Sequence, residues 1–300
     1  MSKRRSADRL GETPTSVARS SGRRPTAEGN LSKRRPADRL GETPTPVARS
    51  SGRRPTAEGA FTRGRLWTGT SGFAYPDWAP LFYAARSRPA DLLSQYARHL
   101  PAVELNNTFY QQPKPDKVAA WLSATPHDFR FVVKAQRGGS MRAFGSAAVE
   151  TVAWLTAPYL PFGERLGCVL YRVPEQVRRD DTRLRLLLDA WPADMPLTVE
   201  FQHASWHVDE VIDLLRSHGG ALCATDLDNG DPPDLLRTAD FVYARLRRTS
   251  YSDIDLERWA TRFEAFLADG VDCFVFFRHD ERGESALRAK RLAELVGQRT

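Results

Sequence analysis

The sequence predicts an α/β protein built on a (β/α)8 barrel of the TIM type, preceded by a disordered, duplicated basic N-terminal tail. After residue 60, eight short β-rich runs alternate with amphipathic stretches, the order typical of parallel strands joined by crossover helices. Runs such as CVLY, FVYA and CFVFF are apolar without alternation, as strands covered on both faces are. Eight such units in about 240 residues match the size of this barrel. We therefore predict a tail over residues 1–60 and a barrel domain over residues 61–300.

The tail consists of one 30-residue segment present twice, over residues 1–30 and 31–60, with differences at four positions. The two copies carry 14 Lys and Arg against six Asp and Glu, whereas the remaining 240 residues carry 30 against 31. A segment rich in Arg, Ser, Thr, Pro and Gly with few large apolar residues cannot bury enough surface to fold. The pI near 9.5 therefore reflects the tail, and nucleic acid is expected as a partner only through it.

The barrel elements follow from hydrophobic periodicity and turn residues. The predicted strands are Leu66–Gly69, Ala102–Leu105, Phe129–Lys134, Cys168–Tyr171, Leu197–Glu200, Ala221–Thr225, Phe241–Arg245 and Val271–Phe277. The predicted helices are Ala90–His99, Asp116–Ala124, Ser146–Ala157, Thr182–Ala190, Val208–His218, Leu256–Ala268, Glu284–Val296 and a short one around Pro233–Thr238. An open doubly wound sheet is the structural alternative, but residues 69–72 are too short for its glycine-rich phosphate turn.

Several classes of protein are excluded by composition. No apolar run approaches the roughly 20 residues that span a bilayer, and the amino terminus lacks the apolar core of a signal peptide. We therefore expect a cytoplasmic chain with no membrane partner. Cys168, Cys223 and Cys273 each lie in an apolar stretch and far apart, so we expect buried thiols and not a disulfide framework. The pattern specifies no oligomeric state.

Ionisable or amide side chains follow seven of the eight predicted strands, and in a barrel these strand ends open into one mouth. They are Glu104 and Asn106, Lys134, Arg172, Glu200 and His203, Asp226, Arg245, and finally Arg278 and His279. Cations outnumber carboxylates among them, and Arg offers paired donors to phosphate or carboxylate. We therefore expect a small anionic ligand. The alternative is an internal ladder of Arg–carboxylate pairs that only closes the barrel.

Carboxylates held near cations stay ionised and favour a role as bases. The candidate catalytic residues are Glu104, Glu200 and Asp226, with His203 and Lys134 as proton donors. The candidate ligand-binding residues are Asn106, Tyr110, Arg172, Trp206, Arg245, Tyr251, Arg278 and His279, of which the three arginines act as clamps. For Lys134, the end of an apolar strand is also a setting for a Schiff-base lysine, although nearby carboxylates favour a salt bridge.

No metal ligand or cofactor is assigned from the sequence, and a divalent metal stays an alternative. Glu104, Glu200 and Asp226 with His203 or His279 would resemble the sites of metal-dependent isomerases and hydrolases, although the arginines repel a cation. Glu200, His203 and His207 have a spacing that zinc sites also use. A two-carboxylate glycosidase is disfavoured because strands four and seven end in arginine.

Five motifs occur in order along the barrel region: GTSGFAYPDW, VELNNTFYQQP, FRFVVKAQR, VEFQHASW and YARLRRTSY. In this order they resemble the YecE-like family, domain of unknown function 72, which is described as sugar-isomerase-related. The resemblance runs from about Gly64 to Val296; it implies a TIM-type barrel and supplies no reaction. The positions that match the family's motifs are Gly69, Gly72, Trp78, Phe82, Tyr83, Glu104, Asn106, Thr108, Phe109, Tyr110, Trp121, Lys134, Pro174, Glu200, His203, Ser205, Trp206, Asp226, Tyr243, Arg245 and Tyr251.

The chain departs from the family pattern mainly by gaining arginine. The departures are Arg172 for Gln, Gln202 for Arg, Arg247–Arg248 for His-Gly, Arg278–His279 for Asn-Asn, and the loss of Thr-His around Ser140–Met141. These changes make the mouth more positive than the family pattern. We therefore expect an enzyme that binds a small phosphorylated or carboxylated, sugar-like ligand. The alternative is a non-catalytic barrel that binds an anionic ligand or nucleic acid.

Overall fold

A computed structural model describes residues 62–145 and 147–297. The predicted tail over residues 1–60 therefore lies outside the described residues. Eight parallel strands form one sheet in the order β1-β8-β7-β6-β5-β4-β3-β2. The strands are β1 Leu66–Thr70, β2 Ala102–Leu105, β3 Arg130–Lys134, β4 Leu166–Val173, β5 Leu197–Phe201, β6 Ala221–Asp226, β7 Phe241–Leu246 and β8 Asp272–Phe277.

The sheet closes into a barrel where its two outer members, β1 and β2, meet at their carboxyl ends. A parallel bridge joins Ser71 to Glu104, and the Gly72 N–H donates to the Glu104 carbonyl at 2.8 Å. Closer to the middle of β1, a Cβ on Gly69 would lie 2.0 Å from the Ala102 carbonyl oxygen, so only glycine allows the two strands to approach. The predicted (β/α)8 barrel is confirmed.

The helices cover the outside of the barrel. They are α1 Leu92–Tyr96, α2 Pro115–Ser123, α3 Arg137–Ala143, α4 Ala148–Thr156, α5 Asp181–Ala190, α6 Asp209–His218, α7 Asp253–Ala268 and α8 Glu284–Gly297. Helix α3 was not predicted, because it is short and contains Gly138 and Gly139. Its first turn is held by the Gln136 side chain, whose oxygen accepts from the Gly139 N–H at 2.6 Å. No helix in the described part of the chain is long and apolar enough to cross a membrane.

The predicted helix around Pro233–Thr238 is wrong, because residues 232–238 have no helical turn. Two consecutive prolines, Pro232 and Pro233, restrict the backbone before them to extended conformations. The Thr238 side chain then accepts a hydrogen bond from the Leu222 N–H at 2.8 Å, which fixes the segment to the start of β6. The crossover from β6 to β7 is therefore an extended strap, residues 232–238.

Two apolar layers form the core, because successive side chains of a strand point to opposite faces. One face of each strand packs against the helices. The other face fills the barrel interior with Trp67, Ala102, Val132, Cys168, Leu170, Ala221, Cys223, Phe241, Tyr243, Phe274 and Phe276. The three cysteines are free and buried, as predicted. Above this apolar filling, towards the carboxyl ends of the strands, the interior becomes polar.

Candidate functional site

The polar layer arises because each strand continues its inward-facing pattern for one more position. On β7, for example, Tyr243, Arg245 and Arg247 are two residues apart and share the interior face. We call this layer the mouth cluster. It consists of Ser71, Glu104, Lys134, Arg172, Glu200, Thr225, Arg245, Arg247 and Arg278.

Arg245 lies at the centre of the mouth cluster and binds two carboxylates. Its Nε and Nη2 donate to the two oxygens of Glu104 at 3.0 and 2.7 Å, and its Nη1 donates to Glu200 Oε1 at 2.8 Å. Ser71 Oγ and the Tyr243 hydroxyl donate to the two oxygens of Glu104, each at 2.7 Å. Both Glu104 oxygens therefore have two donors, and its side chain has no exposed surface.

The electrostatics of this centre fix Glu104 as an anion. Burial alone would favour its neutral form, but the charges of Arg245 and Arg247 and the hydrogen bond from Ser71 outweigh burial and lower the pKa to about 2. The pKa of Arg245 is raised in turn: burial opposes the charge, and Glu104 and Glu200 outweigh it. Glu104 and Arg245 thus form a permanently charged, saturated pair.

Glu200 differs from Glu104 in having one free oxygen. Its Oε1 accepts from Arg245 and from Thr225 Oγ1, the latter at 3.2 Å, whereas its buried Oε2 has no hydrogen-bond partner. Beside that oxygen is Arg172, whose Nε lies 3.6 Å away and is also buried without a hydrogen bond. Burial opposes ionisation of Glu200, but Arg245 and Arg172 lower its pKa. The two unsatisfied atoms face the same space.

Lys134 has no carboxylate partner among the described residues. Its side chain is buried, with 8% of its surface exposed, and its Nζ lies 4.4 Å from the centre of the Phe109 ring. Burial, and then the charge of Arg245, lower its pKa to about 8, although Glu104 and Glu200 act in the opposite direction. The amine is therefore neutral far more readily than that of an exposed lysine.

Arg247 and Arg278 lie above the Arg245 pair. Arg247 Nη1 donates weakly to Ser71 Oγ at 3.4 Å, and Arg278 Nη1 donates to the Arg247 carbonyl at 3.4 Å. Within residues 62–145 and 147–297, neither guanidinium pairs with a carboxylate. Burial, followed by repulsion from Arg245, lowers the pKa of Arg247. At the rim of the mouth, the exposed His279 ring stacks on the Tyr75 ring, with their centres 5.0 Å apart.

Asp226 and Tyr251 form a separate group on the outer side of the barrel. Asp226 is fully buried and accepts from Arg248 Nε at 2.9 Å and from the Tyr251 hydroxyl at 2.8 Å. Because Asp226 is one residue beyond the inward-facing Thr225, its side chain points away from the mouth cluster. Arg248 and Tyr251 line a groove of about 650 Å³ beside the extended strap and α7. The structure therefore does not bring Asp226 or Tyr251 to the other candidates.

Four further candidates lie around the mouth but outside the mouth cluster. His203 accepts from the Ser205 N–H at 3.1 Å and so caps a short turn. Trp206 is buried and stacks on Phe201, with the two ring centres 4.7 Å apart, and its indole N–H donates to the Val177 carbonyl. Tyr110 is 77% exposed, and Asn106 is half-buried before the turn of residues 107–109.

Residues 67–300 match the family described as "Protein of unknown function DUF72". The chain belongs to the DUF72 family. It is similar to the UPF0759 protein YunF of Bacillus subtilis, with 21% identity over 71% of this chain and 89% of that protein. It is also similar to the UPF0759 protein YecE of Escherichia coli, with 29% identity over 46% of this chain and 48% of that protein.

Two solved DUF72 structures have the same fold. A DUF72 family protein of Thermotoga maritima matches with a TM-score of 0.63 and 25% identity, over 77% of this chain and 99% of that chain. One from Enterococcus faecalis matches with a TM-score of 0.58 and 20% identity, over 69% of this chain and 94% of that chain. The family match over residues 67–300 confirms the family that the motifs indicated.

One member of the mouth cluster, Arg247, was noted only as a departure from the family pattern and was not a candidate site residue. Ser71 and Thr225 were not candidates either, and Tyr243 was noted only as a family position. Each of these last three is uncharged or lies before the last residue of its strand, so a search for ionisable strand ends passes over it. The signal that identifies them is the two-residue period: Thr225 is in register with Arg245 across the β6–β7 ladder.

The donor set does not fit a metal in this DUF72 chain. In the part of the chain that the structure describes, no three His, Cys, Asp or Glu side chains converge to hold an ion. Three of the four carboxylate oxygens that face the mouth already accept hydrogen bonds from Arg245. Of the further groups that such a metal site would use, Asp226 points to the outer side of the barrel, and the Nδ1 of His203 is engaged by Ser205.

Proposed function

We propose that the mouth cluster binds a small ligand carrying a phosphate or a carboxylate, and that the chain acts on it as an enzyme. The observation that carries this proposal is the set of cations without a carboxylate partner among the described residues. The mouth contains Lys134, Arg247 and Arg278, none of which forms an ion pair with a described carboxylate. Arg172 Nε lies 3.6 Å from Glu200 Oε2. Lys134 is buried and Arg172, Arg247 and Arg278 are half-buried, and positive charge withdrawn from water in this way is stabilised by a compensating anion.

The binding groups differ from those expected from the sequence. All the donor nitrogens of Arg245 are turned to Glu104 and Glu200, so Arg245 orders the two carboxylates and is not a clamp. The clamps are then Arg172, Arg247 and Arg278. Their planar donors suit the paired oxygens of a phosphate or carboxylate.

We assign the role of general base to Glu200. Glu104 has four hydrogen bonds and a pKa near 2, which leaves it little capacity to accept a proton. Glu200 is also ionised, but its buried Oε2 accepts no hydrogen bond and so remains able to accept a proton. Beside it, Arg172 can stabilise a negative charge that develops on the ligand. This arrangement supports proton transfer on a sugar-like anion, as in an isomerase.

Isothermal titration calorimetry tests the binding step, with inorganic phosphate, glucose 6-phosphate and glucose as probes. We expect the two phosphates to bind and glucose to bind much more weakly. Arg278→Ala should weaken phosphate binding about tenfold or more, since it removes a charged donor. Arg98→Ala removes an exposed arginine before β2, at the opposite end of the barrel, and should leave binding unchanged. Equal binding by Arg278→Ala and wild type would contradict the proposal.

The catalytic step is tested by deuterium exchange from solvent into bound glucose 6-phosphate and other sugar phosphates. Glu200→Gln keeps the size of the side chain and should bind phosphate while losing exchange. If the wild-type chain binds these anions but exchanges no proton with any of them, the barrel is a binding protein without this chemistry.

A further inference from the structure

Lys134 differs from the other lysines among the described residues in its surroundings. The sequence has six lysines, and the other three in the described residues, Lys114, Lys117 and Lys290, are exposed. Lys134 instead ends β3 inside the barrel, where its stem is buried and its Nζ lies over Phe109. No described carboxylate pairs with it, because Glu104 and Glu200 are both held by Arg245.

This arrangement removes the usual reason for a buried lysine to stay protonated. A lysine in an apolar site normally keeps its charge by pairing with a carboxylate. Here the neighbouring arginines, Arg245 and Arg172, repel the ammonium. The pKa of about 8 means that about a tenth of the amine is neutral at pH 7, against less than about a thousandth for an exposed lysine.

We infer that Lys134 is a nucleophile that forms a Schiff base with the carbonyl carbon of a phosphorylated or carboxylated aldehyde or ketone. The inference rests on the proposed function, since Arg172, Arg247 and Arg278 would hold the anionic group of the same ligand. Two features carry it: an amine without a carboxylate partner facing the mouth, and a free carboxylate oxygen, Glu200 Oε2, in the same cluster.

The chemistry requires only the carbonyl ligand as co-reactant. The Nζ lone pair of Lys134 attacks the carbonyl carbon, a C–N bond forms, and the carbonyl π electrons move to oxygen. A proton moves from nitrogen to that oxygen and gives a carbinolamine, with Glu200 as the carrier. The hydroxyl group then leaves as water together with the remaining proton of the nitrogen, and the nitrogen lone pair forms the C=N bond. An aldehyde or ketone and an amine thus yield an imine and one water.

Reductive trapping tests this inference on the full chain. Glyceraldehyde 3-phosphate is added with sodium cyanoborohydride, which delivers hydride to the imine carbon and fixes the adduct as a secondary amine. Peptide mass spectrometry then reads the modified fraction at each lysine. We expect Lys134 to exceed Lys114, Lys117 and Lys290 by about tenfold or more, with labelling that increases as the pH passes through about 8. Unphosphorylated glyceraldehyde should lose this selectivity, and inorganic phosphate should compete.

Two variants complete the test. Lys134→Met should abolish the selective adduct, whereas Lys290→Met removes an exposed lysine and should leave the Lys134 adduct unchanged. If Lys134 is labelled no more than the exposed lysines while phosphate still binds in calorimetry, the Schiff-base inference is wrong and the proposed function stands. If neither labelling nor phosphate binding is seen, both are wrong.

Discussion

Single residues at the mouth of this DUF72 barrel divide into a structural and a reactive set. Glu104 accepts hydrogen bonds of 2.7–3.0 Å from Arg245 and Tyr243, and each guanidinium nitrogen of Arg245 donates to a carboxylate. Lys134 and Glu200 each retain an atom without a partner among the described residues. A group left in this state reduces stability, and such groups are characteristic of functional sites.

The first residue-scale prediction concerns the cost of burying Lys134. Its pKa is about 8 in the folded chain and 10.5 in the unfolded one, so between these values the unfolded chain binds more protons. Wild-type stability should therefore increase as the pH rises from 8 to 10.5, and at pH 7 the full cost is present. Lys134→Met should raise the free energy of unfolding at pH 7 by about 1–3 kcal/mol.

Thermal denaturation between pH 7 and pH 10.5 measures this effect. The stabilisation by Lys134→Met should shrink as the pH approaches 10.5, whereas Lys290→Met should show no pH-dependent difference from wild type. Destabilisation by Lys134→Met at pH 7 would mean that the ammonium has a stabilising partner.

The second residue-scale prediction concerns Glu104. Its folded pKa of about 2 lies below the unfolded value of 4.5, so its stabilising contribution is present above pH 4.5 and is lost as the pH falls towards 2. Glu104→Gln should cost about 3–5 kcal/mol at neutral pH, because it leaves the buried Arg245 undercompensated. Tyr243→Phe should cost about 1–3 kcal/mol, since it removes one donor to a buried carboxylate. Urea denaturation of both variants measures these values. A smaller loss of stability for Glu104→Gln than for Tyr243→Phe would show that Glu104 does not compensate the charge of Arg245.

Elements were predictable to the extent that their patterns are local. The eight strands lie within two residues of their predicted limits because buried parallel strands are continuous apolar runs bounded by turns. The strap at residues 232–238 was not predictable from helical spacing, because two prolines and a side-chain hydrogen bond decide its conformation. Asp226 was expected in the mouth because it ends a strand. The end of a strand shows how far along the barrel axis a residue lies, whereas the two-residue period shows whether its side chain points inward or outward.

The element-scale prediction tests how the strap is held. Thr238→Val keeps the shape of the side chain but removes the oxygen that accepts from the Leu222 N–H. We expect a loss of about 1–3 kcal/mol in the free energy of unfolding, with phosphate binding unchanged, because the strap does not contribute to the mouth cluster. Chemical denaturation and calorimetry on the same variant provide both readouts. Loss of phosphate binding would show that the strap shapes the mouth.

At the scale of the whole molecule, charge is divided between the two predicted regions. The net charge of +7 arises from residues 1–60, whereas the remaining residues carry 30 basic and 31 acidic side chains. The positive mouth is thus a local feature of a nearly neutral barrel region, and its ligand is expected to be small. The residues at the strand ends predicted a cationic mouth. Which cations lack a carboxylate partner among the described residues could not be predicted, because it depends on Arg245 binding both Glu104 and Glu200 in the folded barrel.

Removal of residues 1–60 should separate the effects of the basic tail from those of the positive mouth. A chain lacking residues 1–60 should bind inorganic phosphate as the full chain does. Any binding to a DNA duplex that weakens steeply with added salt should disappear with those residues. Calorimetry and a filter-binding assay on the two chains measure the two effects. Salt-dependent DNA binding that survives in the shorter chain would move the nucleic-acid contact to the barrel.

The central claim is that an anion binds among Arg172, Arg247 and Arg278. The most direct measurement is a crystal structure of the chain with tungstate, a phosphate analogue whose anomalous scattering locates it without reference to the protein. The account predicts an anomalous peak inside the mouth, within hydrogen-bonding distance of at least two of these guanidinium groups. A mouth without tungstate, at a concentration that saturates phosphate binding in calorimetry, would contradict it.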